Sequence, residues 1–306
     1  MPLVSVIIAT YNRSNVLTYT IQSLLRSSFC DWELIVVGDA CTDDTEEVVL
    51  GFNDRRIRFK NLEENVGDQC GPNNEGIRMA KGQYIAFLSH DDLWMPNHLD
   101  ICLREIQESD ADFVYPLGLI IWTDEKNRVF AFDSNPKSHH TWLPASFWFF
   151  KRELAQQIGP WRHYSECLMP PSQDWLFRVR KAGKTIRMIP EVTVVAIVAT
   201  GRAGVYERRD YLENKQYFER MCQEPGFLEN ELTKVAIYHA KLENSLAVWP
   251  PLRKGLTNAV LKVARCLGME PFKVRFALSY GGKGSFIKRF HKDTGAHGPN
   301  KPKIDK

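Results

Sequence analysis

Apolar runs alternate, along the first part of the chain, with segments whose apolar residues recur at helical spacing. Residues 3–9 and 33–37 are rich in β-branched side chains and lack polar alternation, which is typical of strands covered on both faces. Residues 14–25 lie between them and carry apolar side chains at helical spacing, which predicts a helix. The alternation continues with predicted strands at 57–60, 84–88 and 113–115 and predicted helices at 42–49, 71–80 and 96–108. It predicts an α/β fold built on a doubly wound, mainly parallel sheet with helices on both faces.

After residue 116 the pattern changes. Residues 117–123 and 128–132 look like an antiparallel pair, and two further strands are predicted at 186–189 and 192–198. From about residue 204 the pattern is helical, with helices predicted at 206–222, 228–247, 252–267 and 271–280. The patterns divide the chain into a domain at 1–203 with halves 1–115 and 116–203, a C-terminal helical extension at 204–290, and a basic tail at 291–306 that we expect to be flexible.

Composition and charge narrow the function classes. The chain has 306 residues, 44% of them hydrophobic, which fits a globular protein with a sizeable core. Its 40 Lys and Arg against 37 Asp and Glu give a net charge of +3, too small to indicate nucleic acid as the main partner. The seven cysteines form no C-x-x-C pair and indicate free thiols in a reducing compartment. No secretory signal is visible and no apolar run approaches the ~20 residues that span a bilayer, so we expect a cytoplasmic protein.

Polar side chains follow three predicted strands, at the edge where such sheets bind ligands. Residues 10–13, Thr-Tyr-Asn-Arg, combine an aromatic ring with small polar groups at a helix start, which suits a flat base and a phosphate. An ordinary turn is the alternative. Asp39 ends the second strand and can accept hydrogen bonds from a base N–H or from ribose hydroxyls. Alternatively, it caps the helix near Thr42.

Two adjacent carboxylates, Asp91 and Asp92, follow His90 at the end of the third of these strands. Adjacent carboxylates repel each other, and a nearby divalent cation relieves that repulsion. Mn²⁺ or Mg²⁺ held by one or two carboxylates and by substrate phosphates is the usual arrangement. A solvated turn is the alternative. His90 either contacts the ligand or is structural.

Five sequence motifs occur in a defined order and spacing within the first 92 residues. They are VSVIIATYNR at 4–13, ELIVVGD at 33–39, NVG at 65–67, NEGI at 74–77 and GQYIAFLSHDD at 82–92. Together they resemble family 2 glycosyltransferases, whose GT-A fold is Rossmann-like, and a weaker match continues through 147–190. The resemblance implies a metal-dependent, inverting transfer of a sugar from a nucleotide-diphosphate donor, often UDP-linked. The acceptor would be a hydroxyl of a glycan or lipid-linked molecule in surface polysaccharide or glycoconjugate synthesis.

By motif position, the resemblance also implies roles for individual residues. Nucleotide contacts fall on Ala9, Thr10, Tyr11, Arg13, Asp39, His90 and Asp91. The metal falls on Asp91, supported by Asp92, and Asp174 falls where the family places its base. An inverting displacement needs such a carboxylate to take the proton of the acceptor hydroxyl. The chain departs from the family at Ser89, where D-x-D begins with Asp, so a nucleotide-binding scaffold with little or no turnover is the alternative function.

We expect the acceptor side among aromatic and basic residues that follow residue 116. Trp148 and Trp175 offer ring faces that can pack against sugar rings, although core packing is the alternative for each. Arg202 follows a predicted strand and could neutralise diphosphate charge.

The basic character of the chain is concentrated near its end. Residues 250–306 hold 13 Lys and Arg against 3 Asp and Glu, and 256–267 carry an apolar stripe with basic residues beside it. A peripheral helix on anionic lipid has this pattern, and so does an amphipathic helix packed on the catalytic domain. Membrane contact would fit a lipid-linked acceptor at the inner face of the membrane. The sequence indicates no oligomeric state.

Overall fold

The computed structural model describes residues 1–122, 128–130, 142–198, 206, 213–245, 276 and 280–295. Its strands are β1 (Val4–Thr10), β2 (Trp32–Gly38), β3 (Ile57–Asn61), β4 (Tyr84–Phe87), β5 (Leu93–Trp94), β6 (Phe113–Ile121), β7 (Arg128–Phe130), β8 (Phe149–Lys151) and β9 (Ile186–Ile197). Its helices are α1 (Ser14–Leu25), α2 (Thr45–Leu50), α3 (Cys70–Met79), α4 (His98–Ser109), α5 (Arg152–Ile158), α6 (Pro171–Lys181), α7 (Glu213–Gln223), α8 (Phe227–Ser245) and α9 (Ser285–Thr294). The strands form one sheet in the order β3-β2-β1-β4-β8-β6-β9-β5, and β7 pairs with β6.

The N-terminal half of the sheet is parallel, as the alternation of strands and helices predicts. β1 pairs in parallel with β2 and β4, and β2 pairs in parallel with β3. Nearly every residue of β1 and β2 is buried, because these strands carry apolar side chains toward both faces. α3 packs directly on β1, where Gly76 lies against Ile7 with no room for a side chain of its own. The carboxyl ends of β1, β2 and β4 therefore lie side by side.

The second half of the sheet is mixed. β8 pairs antiparallel with both β4 and β6 and so joins the two halves. The antiparallel pair predicted after residue 116 is confirmed as β6 and β7. The strands predicted at 186–189 and 192–198 are a single strand, β9, whose parallel register with β6 shifts where Pro190 and Glu191 are passed over. These two residues interrupt the apolar pattern, which is why the sequence predicts two strands.

Two apolar clusters form the core. The larger lies around β1, β2 and β4 and includes the stacked rings of Trp148 and Trp175. The smaller joins the C-terminal helices to the sheet through Phe227 and Val235 of α8. The helices predicted at 206–222 and 228–247 are found as α7 and α8. Those predicted at 252–267 and 271–280 lie almost wholly outside the described residues.

The helix α9 is not predicted from the sequence. It is bounded by Gly284 and Gly295, whose φ angles of +75° and +74° lie in the left-handed region that favours glycine. It crosses residue 290, so residues 291–294 of the predicted flexible tail are helical. The division of the chain into domains otherwise stays a prediction. None of the helices in the described part of the chain is long and apolar enough to cross a membrane.

Candidate functional site

A cavity of about 300 Å³ lies at the carboxyl ends of β1, β2 and β4, the edge at which parallel sheets bind ligands. Six of the seven residues assigned to the nucleotide line it: Ala9, Thr10, Tyr11, Asp39, His90 and Asp91. Other segments complete the wall with Asn65, Asp68, Asn73, Ser89, Trp142, Ser172, Tyr206, Phe286, Phe290 and His291, among others. The structure therefore brings these predicted residues together, while their individual roles stay predictions.

Asp39 fastens the loop that follows β3 to the end of β2. Its carboxylate accepts the N–H groups of Val66 (2.8 Å) and Gly67 (2.9 Å), and its carbonyl accepts the amide of Asn65. Burial raises the pKa of Asp39, and the two backbone N–H groups oppose that rise. The carboxylate that accepts the first N–H of α2 belongs to Asp43 rather than Asp39. Asp39 is thus a fixed acceptor on the cavity wall and not a helix cap.

Asp68 is a wall residue that the sequence analysis missed. It follows the Asn-Val-Gly segment directly, and its Oδ1 accepts the N–H of Cys70 at 2.9 Å. Burial raises the pKa of Asp68 to about 7, and the charge of Asp39 adds to the effect. Two carboxyl groups with raised pKa values therefore share one end of the cavity, which we call the carboxyl end (Asp39 and Asp68). The one feature of the sequence that could have identified Asp68 is its position directly after the Asn-Val-Gly motif.

His90 is held between the end of β1 and Tyr206. Its Nδ1 lies 3.2 Å from the carbonyl oxygen of Ala9, and its Nε2 lies 3.5 Å from the hydroxyl of Tyr206. Burial lowers the pKa of His90, which favours the neutral imidazole. The guanidinium of Arg13 lies 5.2 Å from the ring centre of Tyr206, and Arg13 does not line the cavity. Arg13 therefore lies behind Tyr206, and its direct contact with the nucleotide stays a prediction.

Asp92 is a structural carboxylate in this fold. Its Oδ1 accepts the N–H of Ile197 (2.9 Å), and its Oδ2 accepts the hydroxyl of Ser146. It is 5% exposed and does not line the cavity. Burial, followed by the charge of Asp91, raises the pKa of Asp92 well above its usual range. The expectation that Asp92 supports a metal is therefore corrected, because its carboxyl group is buried outside the described cavity wall that Asp91 lines.

Asp91 is the member of the pair that lines the cavity. Among the described residues, no three His, Cys, Asp or Glu side chains form a group that could hold a metal ion by themselves. The described wall of the cavity carries carboxyl groups and neither Lys nor Arg. This donor set fits a Mn²⁺ or Mg²⁺ ion that takes one ligand from Asp91 and the others from substrate phosphates and water.

Asp174 lies in the first turn of α6, beside the cavity rather than in its wall. It is 5% exposed, and its Oδ2 lies 3.1 Å from Nε of Arg178 and 3.9 Å from the guanidinium of Arg162. Ser172, two residues earlier in the same turn, does line the cavity. Gln173 pairs through its side-chain amide with the backbone of Leu143. The first turn of α6 therefore places a carboxylate just behind the cavity wall.

The tryptophans assigned to the acceptor side belong to the core. Trp148 and Trp175 are both fully buried, and their rings stack with centres 5.5 Å apart. Their indole N–H groups donate to the carbonyls of Leu143 and Gly159. This is a correction, since neither ring can meet a sugar. Trp142, Phe286 and Phe290 are among the aromatic residues that do line the cavity. Arg202 lies outside the described residues.

Sequence comparison relates the chain to transferases of bacterial glycan synthesis. It is 34% identical over 113 residues to the Escherichia coli "UDP-Glc:alpha-D-GlcNAc-diphosphoundecaprenol beta-1,3-glucosyltransferase WfgD", covering 37% of this chain and 44% of that protein. It is 30% identical over 172 residues to the "putative colanic acid biosynthesis glycosyl transferase WcaA" of the same species, covering 55% of this chain and 60% of that protein. The chain thus spans about half the length of these curated relatives.

Structural comparison supports the same fold. Staphylococcus aureus TarS 1-349, solved in complex with UDP-GlcNAc, matches 86% of this chain and 80% of its own, with a TM-score of 0.56 and 19% identity. The mannosyltransferase PcManGT of Pyrobaculum calidifontis, solved with GDP-Man and Mn²⁺, matches 95% of this chain and 87% of its own, with a TM-score of 0.53 and 14% identity. At these identities the likeness shows the fold alone.

The match to a family model shows to which protein family the chain belongs. The model described as "Glycosyl transferase family 2" matches residues 5–159, just over half of the chain. The matched stretch contains Asp39 and Asp91 and the parallel half of the sheet. The chain belongs to glycosyltransferase family 2.

Proposed function

We propose that the chain is a metal-dependent, inverting glycosyltransferase that moves a sugar from a UDP-sugar to a hydroxyl of a glycan or lipid-linked acceptor. The observation that carries the proposal is the cavity at the ends of β1, β2 and β4, where Tyr11, Asp39 and Asp91 meet. The names of related proteins support it, because WfgD is a UDP-Glc-dependent glucosyltransferase by name and TarS was solved with UDP-GlcNAc. The proposed setting is the synthesis of a surface polysaccharide or glycoconjugate.

The carboxyl end suits the base and ribose of the donor. Tyr11 offers a ring face to a flat base. The carboxylate of Asp39 has about four acceptor positions, of which the N–H groups of Val66 and Gly67 use two, so it can also accept from a base N–H or a ribose hydroxyl. Because Asp39 is buried and held by those two groups, its orientation is set before the ligand arrives.

A cation is needed beside Asp91. The wall of the cavity, as far as it is described, brings carboxyl groups and neither Lys nor Arg to a donor whose diphosphate is itself negative. Burying those phosphates next to Asp91 is unfavourable unless a positive charge accompanies them. A bound Mn²⁺ or Mg²⁺ would supply that charge and would stabilise the departing diphosphate.

Asp174 is proposed as the base that takes the proton of the acceptor hydroxyl. It belongs to the same helical turn as Ser172, which lines the cavity, so this role requires a rearrangement that exposes the buried carboxylate to the acceptor. Its 3.9 Å contact with the half-exposed Arg162 is long, so a hydroxyl can replace that contact while Arg178 keeps the carboxylate in place. A base in this position removes the proton as the new glycosidic bond forms.

A second candidate function is a nucleotide-binding scaffold with little or no turnover. Two observations favour it: Ser89 stands where the family has its first Asp, and Asp174 is paired with arginines outside the cavity wall. Both functions predict nucleotide binding, and turnover alone separates them.

The test combines binding with turnover. UDP-, GDP-, dTDP- and CMP-sugars are screened by thermal shift with and without Mn²⁺, and release of the nucleoside diphosphate is then measured. A donor at about 100 times its Kd stabilises the fold by about 3 kcal/mol. We expect one nucleotide class to raise the melting temperature only with metal, and Asp91→Asn to abolish that rise while Asp31→Asn, at an exposed position, keeps it. Binding without donor hydrolysis or transfer favours the scaffold. A shift that does not need metal contradicts the metal-dependent transferase, and the absence of any shift, with or without metal, contradicts both functions.

We also propose that the protein acts at the inner face of the membrane. α9 exposes Lys288, Arg289 and Lys292, while its Ile287 and Thr294 are buried. This basic outer surface is attractive to anionic lipid, at about 1 kcal/mol per basic residue. Co-sedimentation with phosphatidylglycerol vesicles and not with phosphatidylcholine vesicles is expected, with loss of binding in Lys288→Glu/Lys292→Glu. Equal recovery on both vesicle types contradicts this placement.

A further inference from the structure

Five aromatic side chains from separate parts of the chain gather beside the cavity. The ring of Phe286 lies 5.7 Å from Trp142, 5.2 Å from Phe276 and 5.1 Å from Tyr280. Of these rings, Trp142 and Phe286 line the cavity, together with Phe290 from the next turn of α9. We call these three residues the aromatic wall (Trp142, Phe286 and Phe290).

Trp142 lies on the β8 side of the cavity, and the ring of Phe286 contacts it there. The sheet order β2-β1-β4-β8 places Asp39, which follows β2, and the segment before β8 on opposite sides of β4. That segment includes Trp142 and is fixed to the end of β4 where Ser146 accepts the N–H of Ser89 at 2.8 Å. A donor whose base lies at Asp39 and whose diphosphate lies at Asp91 therefore points its sugar toward the side of Trp142, and an acceptor that reacts with that sugar must approach from the same side.

The chemistry of this wall excludes the charged part of the donor. Aromatic rings cannot replace the hydration of a phosphate, so placing the diphosphate there is costly. A pyranose ring differs, because its C–H face is apolar and packs on an aromatic face while its hydroxyls point sideways to polar groups. Ser172 and His291 line the same cavity as Trp142 and Phe286, and they supply such groups. Asp174, the proposed base, follows Ser172 by two residues.

We propose that Trp142 and Phe286 form the subsite for the pyranose ring of the acceptor glycan. This subsite rests on the transferase function proposed above and identifies where its second substrate binds. Trp142 precedes β8 and Phe286 belongs to α9, so the subsite combines the second half of the sheet with the C-terminal helices. It replaces Trp148 and Trp175, whose rings are buried in the core.

The test uses the full chain and saturation-transfer NMR with methyl and octyl β-glycosides of glucose, galactose and N-acetylglucosamine. The variants are Trp142→Leu, Phe286→Leu and the conservative Trp142→Phe. Phe276→Leu is the matched control, because Phe276 belongs to the same cluster without lining the cavity. UDP binding in the presence of Mn²⁺ is measured in parallel on every variant.

We expect at least one glycoside to bind the unchanged protein and Trp142→Leu or Phe286→Leu to weaken that binding about tenfold. Trp142→Phe keeps a ring and is expected to stay within about threefold, and Phe276→Leu within about twofold. UDP binding is expected to be unchanged throughout. A protein that binds UDP and none of the glycosides overturns the subsite and leaves the transferase proposal standing. Equal loss in Trp142→Leu and Phe276→Leu also overturns it, because the rings would then act through packing. Absence of UDP binding in the unchanged protein refutes the transferase proposal independently of the glycoside result.

Discussion

Asp68 makes the stability of the fold depend on pH, with a sign opposite to that of most aspartates. Its pKa is 3.8 in an ordinary environment and about 7 in the folded chain, because burial disfavours the charged form and Asp39 adds a like charge. Between these two values the folded chain holds a proton that the unfolded chain has released. The free energy of unfolding therefore falls as the pH rises from about 4 to about 7. Above both pKa values the loss is complete.

The magnitude follows from the two pKa values. Each pH unit in this range lowers the free energy of unfolding by up to about 1.4 kcal/mol. The rise from about pH 5 to about pH 7 therefore lowers it by at most about 3 kcal/mol. Asp68 is half-buried and lines the open cavity, so solvent screens its charge. We therefore expect the free energy of unfolding to fall by roughly half of this upper limit, about 1.5 kcal/mol. Asp68→Asn removes the ionisation and keeps an oxygen that can accept the Cys70 N–H.

Urea unfolding at about pH 5 and about pH 8 measures this difference. The stability of Asp68→Asn relative to the unchanged protein is expected to rise by about 1.5 kcal/mol between the two pH values. The control is Asp31→Asn, which makes the same chemical change at an exposed position and is expected to show no such rise. A relative stability of Asp68→Asn that stays constant with pH, or that falls as the pH rises, refutes the reasoning.

Three further outcomes can be measured in the same unfolding experiments. Gly76→Ala inserts a Cβ into the contact between α3 and β1 and is expected to cost about 2 kcal/mol, whereas Gly282→Ala, with no atom within 4 Å of the new Cβ, is expected to cost little. Asp92→Ala leaves the buried N–H of Ile197 without its acceptor, while the Ser146 hydroxyl can still donate to Ser89, so we expect a loss of about 2 kcal/mol whether or not Mn²⁺ is present. Asp91→Ala, at the neighbouring position on the cavity wall, is expected to change stability by less than about 0.5 kcal/mol and to abolish only the metal-dependent response to nucleotide. Equal destabilisation by the two aspartate variants, or by the two glycine variants, contradicts these assignments.

The parallel half of the sheet was predictable because its signals are local. β1 and β2 are continuous apolar runs, and a run of that kind reports its own burial without knowledge of the rest of the chain. The turns after these strands then bring Tyr11, Asp39 and Asp91 together, since the carboxyl ends of parallel strands meet at one edge. The sequence pattern alone is therefore enough to predict that these three residues lie close together.

The remaining site residues depend on packing between distant segments. A tryptophan has the same appearance in a sequence whether it meets a sugar or fills a core, so the burial of Trp175 could not be known in advance. Asp91 and Asp92 are adjacent, yet one lines the cavity and the other is bonded to Ile197 more than a hundred residues later in the chain. The pKa of Asp68 is raised by burial, and the residues next to it in the sequence do not indicate that it is buried. α9 was missed because glycines, which also mark loops, stand at both of its ends, where Gly284 and Gly295 are its caps.

The cavity wall joins residues from both ends of the sequence, and this has a consequence for synthesis on the ribosome. Ala9 is made early, whereas Phe290 and His291 are made almost three hundred residues later, and all three line the same space. A nascent chain can form the parallel strands as soon as β4 has emerged, because those pairings need only the first 87 residues. The carboxylates around Asp91 then stay exposed at an incomplete cavity wall until α9 has been synthesised and has packed against it. Slow translation of the second half would therefore prolong an open, negatively charged intermediate, and shortening the chain before α9 would leave that intermediate as the end product.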